Sequence, residues 1–175
     1  MKIILNSDQI NTALDDLTEK IASQIGSNVD MAVVGIRSRG EILAQRLSKA
    51  LSQKFDNDIP CGTLDITLYR DDINDPHSDG QPTVRSTEIA FDISEKIIIL
   101  VDDVLYTGRS IRAAMDALIA LGRPKAIKLA VLIDRGHREL PIQADYVVAQ
   151  VDIKPAQSVQ VSLIETDGID QVIVE

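Results

Sequence analysis

The chain predicts an α/β domain built on a mainly parallel central sheet flanked by helices. Two observations carry this expectation. First, short and nearly continuous apolar runs recur: "DMAVVGI" at 30–36, "KIIILVD" at 96–102 and "AIKLAVLID" at 126–134. A strand covered on both faces has no side to show to water, so it loses polar alternation. Second, segments with apolar residues at helical spacing lie between these runs, and strands that alternate with helices close into parallel sheets.

The elements follow in order. "SDQINTALDDLTEKIASQI" places Ile10, Leu14, Leu17, Ile21 and Ile25 on one helical face, with Ser7 or Asp8 as the N-cap. After the strand at 30–36, "GEILAQRLSKALSQKF" sets Ile42, Leu43, Leu47 and Leu51 on a second helix. "CGTLDITLY" (61–69) alternates and is rich in β-formers, which predicts a strand. Residues 70–86, "RDDINDPHSDGQPTVRS", are almost without apolar side chains and form a long polar loop, a type that is commonly functional. The second apolar run, at 96–102, leads into a helix from about Ser110 to Leu121, which Gly122 ends and Pro124 prevents from continuing. "ADYVVAQV" and "VQVSLIE" read as later strands. No internal repeat or low-complexity linker divides the chain, so residues 1–175 are expected to form a single domain.

Composition narrows the function classes. Aromatics make up 3% of the chain and Trp is absent, so base recognition by stacked rings is not expected. The apolar runs are too short to cross a bilayer, the N-terminus carries no signal-peptide pattern, and Cys61 stands alone. These features point to a reducing, cytoplasmic location without a membrane partner. The net charge is −9, with acids crowded into both ends and basic residues around 37–49, 109–138, Arg70 and Arg85. An acidic protein with local basic clusters suits a small polyanion better than a nucleic-acid duplex.

The most informative stretch is "IIILVDDVLYTGRS" (97–110). Thr107, Gly108, Arg109 and Ser110 make a tight turn into a helix, where free backbone N–H groups and the dipole favour phosphate. The spacing matches neither G-x-x-x-x-G-K-[ST] nor G-x-G-x-x-G, which argues against a nucleoside triphosphatase or a dinucleotide enzyme. Asp102 and Asp103 would repel phosphate but can accept hydrogen bonds from a vicinal diol. A ribose 5-phosphate offers both features, a phosphate for the turn and two hydroxyls for the acids.

This stretch resembles the signature of type I phosphoribosyltransferases that binds phosphoribosyl pyrophosphate (PRPP). Together with "VGIRSRGEILAQRL", "DITLYRDD" and "LAVLIDRGHRELPIQADY", it resembles the PyrR family of pyrimidine-operon attenuation regulators that are also uracil phosphoribosyltransferases. The resemblance implies a type I phosphoribosyltransferase-like fold, with a small hood and a flexible flap loop at about 70–86. It implies that uracil and PRPP give UMP and pyrophosphate, with Mg²⁺ held largely by PRPP and water; no side-chain ligand set is assigned.

By the same resemblance Asp102 and Asp103 bracket the ribose hydroxyls, and the PRPP-binding stretch continues through Val104, Leu105 and Tyr106 to Thr107–Ser110 at the 5-phosphate. Ser38 and Arg39 belong to the pyrophosphate loop, where the Ser38–Arg39 peptide is expected to be strained. Arg39 joins the two aspartates as a catalytic candidate. Arg70 and Arg85 flank the flap and are expected to reach phosphate; Asp71 and Asp72 are candidates to assist Mg²⁺, or ordinary solvated acids. Asp134, Arg135 and Gly136 are expected near uracil, with Val159 covering the base from the other side. His137 is a candidate general base for the uracil N1 proton, against the more ordinary reading of a surface or subunit-contact histidine.

The family's regulatory partner is pyrimidine-operon mRNA, and here the sequence departs from the pattern. The first helix carries Asp15, Asp16 and Glu19 where relatives typically show arginines and histidine, which argues against RNA binding. The alternatives left open are a phosphoribosyltransferase for another base and a primarily RNA-binding attenuator with residual catalysis. A homo-oligomer, a dimer or larger, is expected from the resemblance.

Overall fold

The computed structural model describes residues 2–70 and 86–175. The elements are β1 (Lys2–Leu5), α1 (Ser7–Ile25), β2 (Met31–Ile36), α2 (Arg39–Phe55), β3 (Cys61–Leu64), a 3-10 turn (Thr67–Tyr69), β4 (Ile97–Leu105) and α3 (Arg109–Leu121). The chain continues through β5 (Ala126–Asp134), β6 (Tyr146–Gln150), β7 (Val159–Ser162), the one-turn α4 (Ile164–Asp167) and β8 (Gln171–Val174). Most of the flap expected at 70–86, with Asp71, Asp72 and Arg85, lies outside the described residues.

Five parallel strands form the main sheet in the order β3-β2-β4-β5-β6. Both faces are covered, as the apolar runs require. Met31, Val33, Ile99 and Val101 face one core with Leu17 and Ile21 of α1 and Leu43 and Leu47 of α2. Their neighbours Ala32, Val34, Ile98 and Leu100 face the other core with Ile111, Ala114 and Leu118 of α3. Period-two alternation survives inside these strands, but it sorts apolar residues between two cores rather than between core and solvent. Each fully buried Leu or Ile contributes roughly 1.5–3 kcal/mol.

A second, antiparallel sheet of order β1-β8-β7 forms the hood. Val161, Leu163 and Val172 of the hood belong to the same core as α1 and α2. Two local expectations are corrected here. The strand expected across 61–69 ends at Leu64, where its neighbour β2 ends at Ile36, because no ladder partner continues beyond that pair. Asp65 then accepts bonds from the Thr67 N–H and hydroxyl, and the chain turns. The N-cap of α1 is Asn6, not Ser7 or Asp8: Asn6 and Gln9 form a reciprocal capping box.

Candidate active site

The order β3-β2-β4-β5-β6 creates a switch point between β2 and β4. From β2 the chain crosses through α2 to β3 on one side; from β4 it crosses through α3 to β5 on the other. The two connections diverge and leave a crevice at the C-terminal strand ends, where open parallel sheets bind ligands. Both sequence candidates for anion binding sit at this crevice, one after each strand.

On the β4 side, Asp102 is 8% exposed and Asp103 is half-buried. The backbone N–H of Asp103 donates to Asp102 Oδ1 at 3.0 Å, and that of Val104 donates to Asp103 Oδ1 at 2.9 Å. Burial, with the Asp103 carboxylate as a second cause, pushes the Asp102 carboxyl well above the usual carboxylate range. The strand then leads through Tyr106 and Thr107 to Gly108, whose φ of 92° is the left-handed conformation that a tight entry to α3 requires. A Cβ there would also meet Ile142 Cβ at 3.3 Å.

On the β2 side, Arg37, Ser38 and Arg39 lead into α2. The cis peptide lies at Arg37–Ser38, one position before the Ser38–Arg39 bond singled out in the sequence. Gly40 lets this helix start touch β4: a Cβ on it would lie 2.6 Å from the Val101 carbonyl oxygen and 3.1 Å from Asp102 Cα. Any larger residue would push the loop away from the aspartates. The starts of α2 and α3 share a second property. The N-cap residues of both, Ser38 and Gly108, make no side-chain capping bond, whereas α1 carries its full capping box. Two helix N-termini with N–H groups uncapped by their own N-cap residues therefore face one crevice.

The arginines of the β2 side are paired rather than solvent-facing. Arg37 bonds the Ser86 carbonyl at 3.0 Å and Glu88 at 3.0 Å, and lies 3.3 Å from Glu41. Arg39 donates from Nη2 to Asp167 of α4 at 3.1 Å. Arg109 pairs with Glu139 at 2.7 Å.

The expected base segment at 134–136 follows β5, the neighbour of β4, with Leu105 in register with Asp134. Residues Asp134 to Arg138 line a cleft of about 500 Å³ together with Gln150 to Asp152. Arg135 is 8% exposed, stacks its guanidinium 3.9 Å from the Tyr106 ring centre and donates from Nη2 to the Gln157 carbonyl. Val159 lies two residues beyond Gln157 and packs, with Val104, against the core shared by hood and sheet. His137 Nε2 is 2.9 Å from the Ile153 carbonyl oxygen; a carbonyl only accepts, so Nε2 carries a hydrogen, and in the neutral ring Nδ1 is the acceptor.

Residues that the sequence did not single out hold these parts together. Arg138 donates to Asp134, to the carbonyls of Tyr106 and Gly136 through Nη1, and to the Ile142 carbonyl. The N–H groups of Glu139 and Leu140 both end on the Thr107 carbonyl. Only the i, i+4 spacing of Asp134 and Arg138 offered a signal for this network. Among the described residues, no group of three or more His, Cys, Asp or Glu side chains is placed to hold a metal ion. Asp102 and Asp103 alone are too few to cage Mg²⁺, which takes about six oxygens and keeps waters and substrate phosphates. A Mg²⁺ ion here would be carried largely by a phosphorylated ligand and water.

An open parallel sheet with a switch-point phosphate turn, paired aspartates and a hood is the architecture of a phosphoribosyltransferase, and residues 1–165 match the family described as Phosphoribosyl transferase domain. In fold, the chain is similar to the hypoxanthine phosphoribosyltransferase of Trypanosoma cruzi, with a TM-score of 0.75 at 19% identity over 99% of this chain and 95% of that one. Much nearer in sequence are proteins named Bifunctional protein PyrR. That of Deinococcus deserti is 50% identical over 97% of this chain and 91% of its own, and that of Chloroflexus aurantiacus is 50% identical over 99% and 94%. The chain belongs to the PyrR family of phosphoribosyltransferases.

Proposed function

We propose that the chain transfers the phosphoribosyl group of PRPP to N1 of uracil, forming UMP and releasing pyrophosphate. The observation that carries this reading is the end of β4. There, a buried carboxyl and its neighbour run directly into a phosphate-type helix start, opposite the pyrophosphate-type loop of β2. In this reading the bond from ribose C1 to the pyrophosphate oxygen breaks, the bond from C1 to uracil N1 forms, and the N1 proton leaves to base or water.

Asp102 and Asp103 bind the two ribose hydroxyls, and the more exposed Asp103 carboxylate counters the positive charge that builds on the sugar as the C1–O bond opens. Thr107 to Ser110 hold the 5-phosphate, and Ser38 and Arg39 hold the pyrophosphate. Arg135 and the backbone of 134–136 read the uracil edge, and Val159 covers the ring. Mg²⁺ carried by PRPP would supply charge neutralisation at the leaving pyrophosphate. His137 Nδ1 is the available proton acceptor if a side chain takes the N1 proton. Catalysis then rests mainly on positioning.

The test is product analysis with PRPP, Mg²⁺ and each of uracil, hypoxanthine, guanine, adenine and orotate. UMP with uracil is expected; a purine nucleotide without UMP would sink the substrate assignment. A second reading, RNA regulation, is weakened by one observation: Asp15, Asp16 and Glu19 are all exposed on α1. Each phosphate contact such a face fails to make removes a counterion-release contribution. Gel shifts of a pyrimidine-leader hairpin across a salt series should show only weak binding that salt abolishes. Tight, UMP-enhanced binding would restore the regulator.

A further inference from the structure

We propose that Asp167 is an internal counter-anion for Arg39, occupying the pyrophosphate-loop arginine so that pyrophosphate is held less tightly and leaves more readily. This rests on the reading of Arg39 as a pyrophosphate ligand and assigns a role to a hood residue which that reading leaves unused.

Arg39 is the first residue of α2, at the positive end of the helix dipole, a position that disfavours a cation unless an anion stands nearby. Its Nη2 meets Asp167 Oδ1 at 3.1 Å, while its buried Nε has no hydrogen-bond partner among the described residues. Asp167 is aimed at this arginine by the bonds on its other oxygen. Oδ2 accepts from the Leu163 N–H at 2.8 Å and from the Thr166 hydroxyl at 3.0 Å, leaving Oδ1 for Arg39. Those donors and Arg39 hold its carboxyl below the usual carboxylate range, so it stays charged wherever the pyrophosphate site is.

The α4 turn is itself fixed to α2. Arg46, seven residues and two helical turns beyond Arg39, grips Glu165 at 2.6 Å and Asp170 at 2.8 Å. These bonds tie the α4 turn, and with it Asp167, to the helix that carries Arg39. A diphosphate reaching Arg39 must share the guanidinium with a fixed carboxylate or displace it, and either way meets a negative charge. Such a counter-charge lowers affinity for the doubly phosphorylated ends of the reaction, PRPP and pyrophosphate, and leaves UMP unaffected.

The experiment measures binding of inorganic pyrophosphate, in Mg²⁺ buffer, by titration calorimetry and by product inhibition. Asp167→Asn keeps both acceptor positions for Leu163 and Thr166 but loses the charge. It should tighten pyrophosphate about twofold to fivefold, leave UMP inhibition unchanged, and lower the KM for PRPP. Asp167→Glu should return the wild-type affinity, and Glu165→Gln, at a side chain that bonds Arg46 rather than Arg39 or Asp167, should leave pyrophosphate binding as it is. Should Asp167→Asn fold poorly, Asp167→Ser keeps a capping hydroxyl and carries the same expectation. Unchanged or weaker pyrophosphate binding in the folded, uncharged variant overturns the proposal. Arg39→Gln separates the two readings: if it leaves pyrophosphate affinity unchanged, the assignment of Arg39 itself is wrong. If it weakens pyrophosphate while Asp167→Asn does nothing, only the counter-anion is wrong.

Discussion

Asp102→Asn will lower turnover about a hundredfold while raising the thermal midpoint of the protein at neutral pH. The turnover loss follows from the ribose role proposed for Asp102, and the midpoint gain follows from its burial. Asp102 sits buried at the end of β4 beside a second carboxylate, so its carboxyl is held well above the ordinary range. At acid pH both folded and unfolded chains carry the proton, and the site costs nothing through ionisation. As pH rises through the ordinary carboxylate range, the unfolded chain releases its proton while the folded chain keeps it, and stability falls. Asparagine has no proton to release and nearly the same shape. The midpoint advantage of Asp102→Asn should therefore be absent in acid and grow toward neutrality. Calorimetric scans over a pH series, beside steady-state rates, measure both. Equal midpoints throughout would contradict the burial argument, and unchanged turnover would remove the ribose role.

The opposite sign is expected at Arg46. Arg46→Ala should destabilise the fold by about 3 kcal/mol, read from urea unfolding at neutral pH. Asp170 is 6% exposed and accepts from Arg46 through both oxygens, with the Ile164 N–H as a further donor. Removing the guanidinium leaves a buried carboxylate without its counter-ion. Burial works to raise the Asp170 carboxyl, but the Arg46 and Ile164 hydrogen bonds outweigh it and hold it below the usual range. Such a group contributes stability above the ordinary carboxylate pKa and loses it as pH falls through its depressed value. The gap between wild type and Arg46→Ala should thus close in acid. Arg46→Lys should recover only part of it, because an ammonium cannot fork between Glu165 and Asp170. A variant within about 0.5 kcal/mol of wild type would show that the pair is not a structural anchor.

The legible parts of this fold were those written locally. β2, β4 and β5 declare themselves because both faces are covered and few polar residues interrupt the runs. The 102–110 stretch is contiguous, so its acids and its phosphate turn can be read together. The hood was harder. β1 is four residues long and pairs with β8 at the far end of the chain, so nothing local marks "KIIL" as a strand. At 61–69 the β-propensity was real, but tertiary pairing ended the strand at Leu64. The same distance in sequence hid the ion pairs. Arg39 finds Asp167 across 128 positions, and Arg46 finds Asp170 across 124. Arg39 could be read as a pyrophosphate ligand, but neither it nor Arg37 could be read as a side chain already matched with a carboxylate.

The double hydrogen bond onto the Thr107 carbonyl makes the loops after β4 and β5 a single mechanical body. On the proposed reading one loop holds the sugar phosphate and the other the base, so the two substrates are linked thermodynamically. The first to bind orders the joined loops, and the second meets a pocket already formed. Reciprocity then requires that whatever factor PRPP adds to uracil affinity, uracil adds to that of PRPP. Between turnovers, the activated sugar is held most firmly when its acceptor is present and least firmly when water is its only alternative partner.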